Sequence, residues 1–79
     1  VFPSFEIVHP KIKSLYDFQN HKHRKYTLES GLQCMRFNQS EAEYKKSVNA
    51  IYSFIGTVQI NQYQGRKQVN FVIDEIVYA

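Results

Sequence analysis

The sequence holds no tryptophan, one cysteine, two prolines and three glycines, and it has no long apolar run. Each shortage excludes something. A lone Cys34 cannot form an internal disulfide, whereas secreted domains of this size usually rely on several bridges, so a reducing, cytoplasmic setting is expected. No stretch approaches the ~18 apolar residues of a membrane span, and the first residues lack a signal-peptide pattern. So few glycines leave no loop that could cradle a nucleotide phosphate. His21 and His23 could hold a metal only with further ligands, and no cysteine or acidic cluster supplies them. Asp74 and Glu75 are adjacent and point to opposite faces of an extended chain, which suits no paired-carboxylate mechanism. Cys34 has only Arg36 nearby as a cation and reads as a buried, inert thiol. No catalytic activity and no cofactor are expected of this chain. It starts at Val1 and closes on the apolar run Ile76–Ala79, as expected of a domain excised from a longer protein.

What is present points to a small sheet protein. In 79 residues there is room for one domain near the lower size limit for unaided folding. Apolar residues make up 43% and aromatic ones 15%, enough for one core and too many for a disordered segment. Six Tyr and six Phe suit pleated surfaces. A net charge of +3 favours an anionic partner only weakly, so the placement of the charge matters more than its total.

Pro3 and Pro10 punctuate an extended edge segment. Alternating patterns then predict strands over 11–18, 24–29 and 32–37, the last with Met35 and Phe37 on one face and Cys34 and Arg36 on the other. Ser40-Glu41-Ala42-Glu43 matches a capping box, and Tyr44, Val48 and Ile51 form one apolar stripe, which predicts a helix over 41–50. Two further apolar strands follow, joined by a glycine turn at Gly65, and Gly56 marks a sharp bend in the first of them. Three strands, a helix and two strands predict a mostly β, five-stranded OB-fold, a Greek-key barrel with one short helix between its third and fourth strands. An SH3-like barrel and an open α+β sheet are the alternatives.

In an OB-fold the loops after the first and fourth strands flank the oligonucleotide. Here they are His21-Lys22-His23-Arg24-Lys25 and Tyr63-Gln64-Gly65-Arg66-Lys67. Half of the ten Lys and Arg residues therefore fall in two loops expected to converge on one rim. Lys22, Arg24, Lys25, Arg66 and Lys67 are the expected phosphate contacts, and Tyr63 is the expected stacking platform for a base. Tyr16 and Tyr26 are lesser stacking candidates. Phe37, Phe54 and Phe71 are expected in the core, and Tyr52 packed near the helix. Nothing in the sequence points to base-edge readout, so sequence specificity is expected to be low.

The segment Asn61-Gln62-Tyr63-Gln64-Gly65-Arg66-Lys67, followed by an apolar strand ending Ile73-Asp74-Glu75-Ile76, resembles the OB domain of the RecJ family of single-stranded-DNA-specific exonucleases. Ile55-Gly56-Thr57-Val58, Met35-Arg36-Phe37 and the Pro3-any-Phe5 pair are similar to the family pattern as well. The resemblance runs from near Pro3 to Ile76. It implies that this domain holds single-stranded DNA for a nuclease whose metal-binding motifs lie in other domains. Its partners would be that DNA and those domains, with no membrane. The competing expectation is a structural module whose apolar end, from Val72 to Ala79, packs on its neighbours.

Overall fold

Alternation of apolar and polar side chains with period two makes strands, and six of them form here. The computed structural model describes residues 3–79, with Tyr63 described by its backbone only. In chain order the strands are β1 (Phe5–Val8), β2 (Ile12–Phe18), β3 (His23–Leu28), β4 (Gln33–Arg36), β5 (Ile51–Tyr63) and β6 (Arg66–Tyr78). A short helix, α1 (Glu41–Tyr44), and a 3₁₀ turn (Val48–Ala50) lie between β4 and β5. The five strands expected from the sequence are β2 to β6. The segment after Pro3, expected as an extended edge, is the edge strand β1.

The strand order is β1-β5-β6-β4-β3-β2, and the sheet is mixed. β4 pairs in parallel with β6, after the crossover through α1, and the other neighbours are antiparallel. The mostly β order with one short helix is as expected, with six strands rather than five, and closure of the barrel is not seen: among the described residues no ladder joins β1 to β2, the two ends of the order. The sheet is nevertheless curled. Only residues 9–11 separate β1 from β2, a link of at most about 15 Å, whereas the edges of a flat six-stranded sheet would lie about 24 Å apart. The link is tied at both sides. The His9 amide donates to the Tyr52 carbonyl at 2.7 Å beside β5, and the Glu29 amide donates to the Lys11 carbonyl at 2.8 Å beside β3.

The concave side of this curl is the core: Tyr26, Leu28, Cys34, Phe54, Phe71, Ile73 and Ile76 are buried together. On β3 burial falls on Arg24, Tyr26 and Leu28, while His23, Lys25 and Thr27 face outward. Gly56 is buried where the β5 register shifts, opposite Ile73. A Cβ there would collide with the Val72 carbonyl oxygen, so the backbones approach each other through the missing side chain.

The helix is shorter than expected. Ser40 caps it as foreseen, accepting from the Glu43 amide at 3.1 Å. The reciprocal half of the capping box is absent, because the Glu43 carboxylate takes the Arg36 guanidinium instead, at 2.8 and 3.0 Å. After Tyr44 the chain leaves the helix, and Ser47, in an extended conformation, accepts from the Asn49 amide to start the 3₁₀ turn. A serine that bonds the local backbone in this way competes with helix continuation. Tyr52 is exposed, its ring edge-on to His9.

Candidate nucleic-acid interface

The register of the sheet sorts its outward side chains into rows. Tyr16 pairs with Lys25, Lys25 with Met35, and Phe18 with His23, all on the side opposite the core. Phe37 continues the β4 alternation beyond Met35 and meets the His23 ring edge-on, with centroids 5.4 Å apart. The four rings form a chain: Tyr16 stacks on Phe18 at 6.1 Å, and Phe18 lies 5.5 Å from His23. Tyr16 is 64% exposed and Phe37 44%. The sequence reading that put Phe37 in the core is therefore corrected. Its face-mate pattern was right, but Cys34 rather than Phe37 marks the buried face of β4. The His23 Nδ1 accepts the Asn38 amide at 3.1 Å, which places the ring proton of the neutral form on Nε2.

The expected cations occupy different environments. Arg24 is 6% exposed. Its Nε and Nη2 donate to the two Asp17 oxygens at 2.5 and 2.9 Å, and it also donates to the Tyr26 hydroxyl and the Tyr44 carbonyl, both at 3.3 Å. This corrects its assignment as a phosphate contact, because the guanidinium is spent inside the fold. Its hydrogen bond, with help from His21 and against the opposing effect of burial, holds the Asp17 carboxyl down at about 2. Tyr26, at 1% exposure, is likewise removed from the stacking candidates.

Lys22 is exposed on the turn between β2 and β3. That turn places Gln19, Asn20 and His21 in succession at positive φ (53°, 55° and 65°), a conformation that costs non-glycine residues energy and needs support. The support is visible. The His21 Nδ1 pairs with Asp17 at 2.8 Å, and its ring stacks on Tyr44 at 4.8 Å. Gln39 donates its side-chain amide to the His21 carbonyl and its backbone amide to the Lys22 carbonyl. Lys25 sits on the outward face, between Tyr16 and Met35 in register.

At the other basic loop, β5 and β6 form a hairpin closed by the Tyr63–Arg66 pair. Gln64 and Gly65, at φ 51° and 77°, make its two-residue turn, the mirror-image type that matches strand twist. The Tyr63 side chain lies outside what the structure describes. Arg66 and Lys67 are exposed and, with Gln64 and Gln68, line a concavity of about 560 Å³. The two loops do not share one rim. β2, β4 and β6 run in the same direction, so the β2–β3 turn and the hairpin tip lie at opposite ends of the sheet, with the outward face between them.

Among the described residues no group of three or more His, Cys, Asp or Glu could hold a metal ion. Burial pushes the Cys34 thiol up to about 12, which keeps it un-ionised and unreactive. No described helix is long and apolar enough to cross a membrane.

Phe18, His23 and Phe37 are the members of this face that the sequence reading missed. The signal was present as the i, i+2 pairs Tyr16/Phe18 and Met35/Phe37, but an aromatic pair does not by itself say which side of its strand is wet. No significant match exists among curated proteins or among solved structures. The family model of the RecJ OB domain, a non-catalytic domain of RecJ exonucleases, matches residues 2–75. With nearly its whole length matched, the chain belongs to the RecJ OB domain family.

Proposed function

We propose that this domain grips single-stranded DNA across its outward face. The observation that carries the reading is the chain of four rings, Tyr16, Phe18, His23 and Phe37, with Lys25 beside it on exposed sheet. Bases offer a flat π surface to such rings, and phosphates are drawn to cations spaced along the same path. Lys22 and Lys25 serve one end of the path and Arg66 the other, with Lys67 beside it at the hairpin tip on the opposite register face and Tyr63 stacking a base there. Arg24 holds the β2–β3 turn in place from within. Sequence-tolerant stacking and phosphate contact suit a domain that lets a strand pass toward catalytic domains elsewhere in a RecJ-type exonuclease.

Titrating a fluorescent oligo-dT with the protein at low and moderate salt, followed by anisotropy, tests this. Affinity is expected to fall steeply with salt, and Tyr16→Ala or Phe37→Ala to cost about 1–3 kcal/mol of binding. No binding at low salt would overturn the reading.

A second reading, a module that packs on neighbouring domains, is favoured by a different observation. Val58, Ile60 and Val69 are exposed on the core-side register of the long β5–β6 ribbon, beyond the ends of β1 and β4. The apolar end first considered for this role does not serve it, because Ile73 and Ile76 are in the core.

A further inference from the structure

Positive charge on the outward face is confined to two places with a neutral stretch between them. Phe71 is buried on the core side, so Val72, Asn70, Gln68 and Arg66 of β6 face outward by alternation. Lys25 lies in the row that runs through Met35 to Val72. Arg66 is three outward positions nearer the hairpin tip, about 20 Å along a strand that rises about 3.3 Å per residue. The β5–β6 register runs unbroken over that stretch. The outward positions in between are Gln33 on β4, Gln59 and Asn61 on β5, and Asn70 and Gln68 on β6. Their carboxamides carry no charge. In the other direction from the ring chain, Glu6 and Glu75 flank Ile55 in register on the same outward side. A phosphate backbone is repelled from that acidic corner and drawn toward the tip.

We propose that the domain selects strands by length: one that reaches from Lys25 to Arg66 is held at both ends, and a shorter one at the ring end alone. This rests on the DNA-binding reading above and adds to it a threshold that Arg66 sets. Phosphates along one stacked strand lie about 3.4 Å apart. The gap therefore takes about six of them, or fewer where the strand is unstacked and extended. A second contact made by the same strand is intramolecular, and its effective concentration is near zero until the strand can span the gap. The ring end alone sets the affinity of short strands. Nucleotides added over the carboxamides contribute little, because their phosphates meet no cation there. Affinity rises again once the strand reaches Arg66.

The test is an anisotropy titration of oligo-dT from about three nucleotides up to about sixteen, the upper site size of such a fold, at two salt concentrations. A step of roughly tenfold in affinity is expected, the size of one hydrogen-bonded charge contact. It should fall between about five and about eight nucleotides, where the salt slope steepens by about 0.7 for each cation engaged. Arg66→Gln is expected to remove the step. Lys45→Gln makes the same change of charge on an exposed side chain away from this face, and is expected to keep it. In a strand above the threshold, uncharged methylphosphonate linkages at the centre are expected to weaken binding less than the same number placed at the two ends. Affinity that climbs evenly with length overturns the threshold while leaving DNA binding intact. So does a step that survives Arg66→Gln, a step that Lys45→Gln removes, or an equal loss from central and terminal methylphosphonates. Failure of every length to bind at low salt removes the DNA-binding reading itself.

Discussion

Single residues set the limits on what the basic loops do. Asp17 and Arg24 form a pair shielded on both sides, and removing one partner leaves a charge inside the fold. Asp17→Ala is expected to destabilise the domain by about 3–5 kcal/mol, measured by denaturant unfolding. The pH dependence follows from the same pair. The Asp17 carboxyl titrates at about 2 in the fold, chiefly because of its hydrogen bond from Arg24, and near 3.9 when unfolded. Its contribution is therefore fully present above about pH 4 and is lost as pH falls from there toward 2. Unfolding midpoints measured across that range are expected to drop in the native protein and to change less in Asp17→Asn. Sequence reading could not separate Arg24 from Lys22 and Lys25, because a run of cations does not show which one faces inward. The strand period shows it only once the buried face is fixed, and Tyr26 and Leu28 fix it. The same ambiguity misplaced Phe37.

Strands and turns were more legible, since each has a local chemical cause. The hairpin at Gln64-Gly65 and the bend at Gly56 were both marked by a glycine, the first at a positive φ and the second where the Val72 carbonyl excludes a side chain. Gly56→Ala is expected to lower the unfolding midpoint markedly, because the added methyl meets the backbone carbonyl of Val72 rather than a side chain that could move. The helix was less legible. Its start was written in Ser40, but its end depends on Arg36 capturing Glu43 and on Ser47 turning to the local backbone. The hairpin also carries a functional expectation. If Arg66 and Lys67 meet phosphates, Arg66→Glu with Lys67→Glu weakens oligonucleotide binding and flattens the slope of log affinity against log salt by roughly 1.5 units. An unchanged slope would remove the hairpin from the interface.

On the scale of the whole molecule, the curl of one sheet separates a buried concave side from an outward face that runs between two basic ends. Long-range pairing decides this arrangement. The antiparallel β2–β3 and β3–β4 pairs with the parallel β4–β6 pair bring the loops to opposite ends, which no local pattern in the chain could specify. Placing the strand across that face also separates the DNA-binding reading from the packing one, since the exposed Val58, Ile60 and Val69 lie on the other side of the ribbon. A backbone-amide NMR map of the protein titrated with oligo-dT is the most direct measurement. DNA gripped as described shifts Tyr16, Phe18, His23, Lys25, Met35 and Phe37, with a second cluster at Arg66 and Lys67. Shifts confined to the Val58, Ile60 and Val69 side, or none at all at low salt, would contradict it.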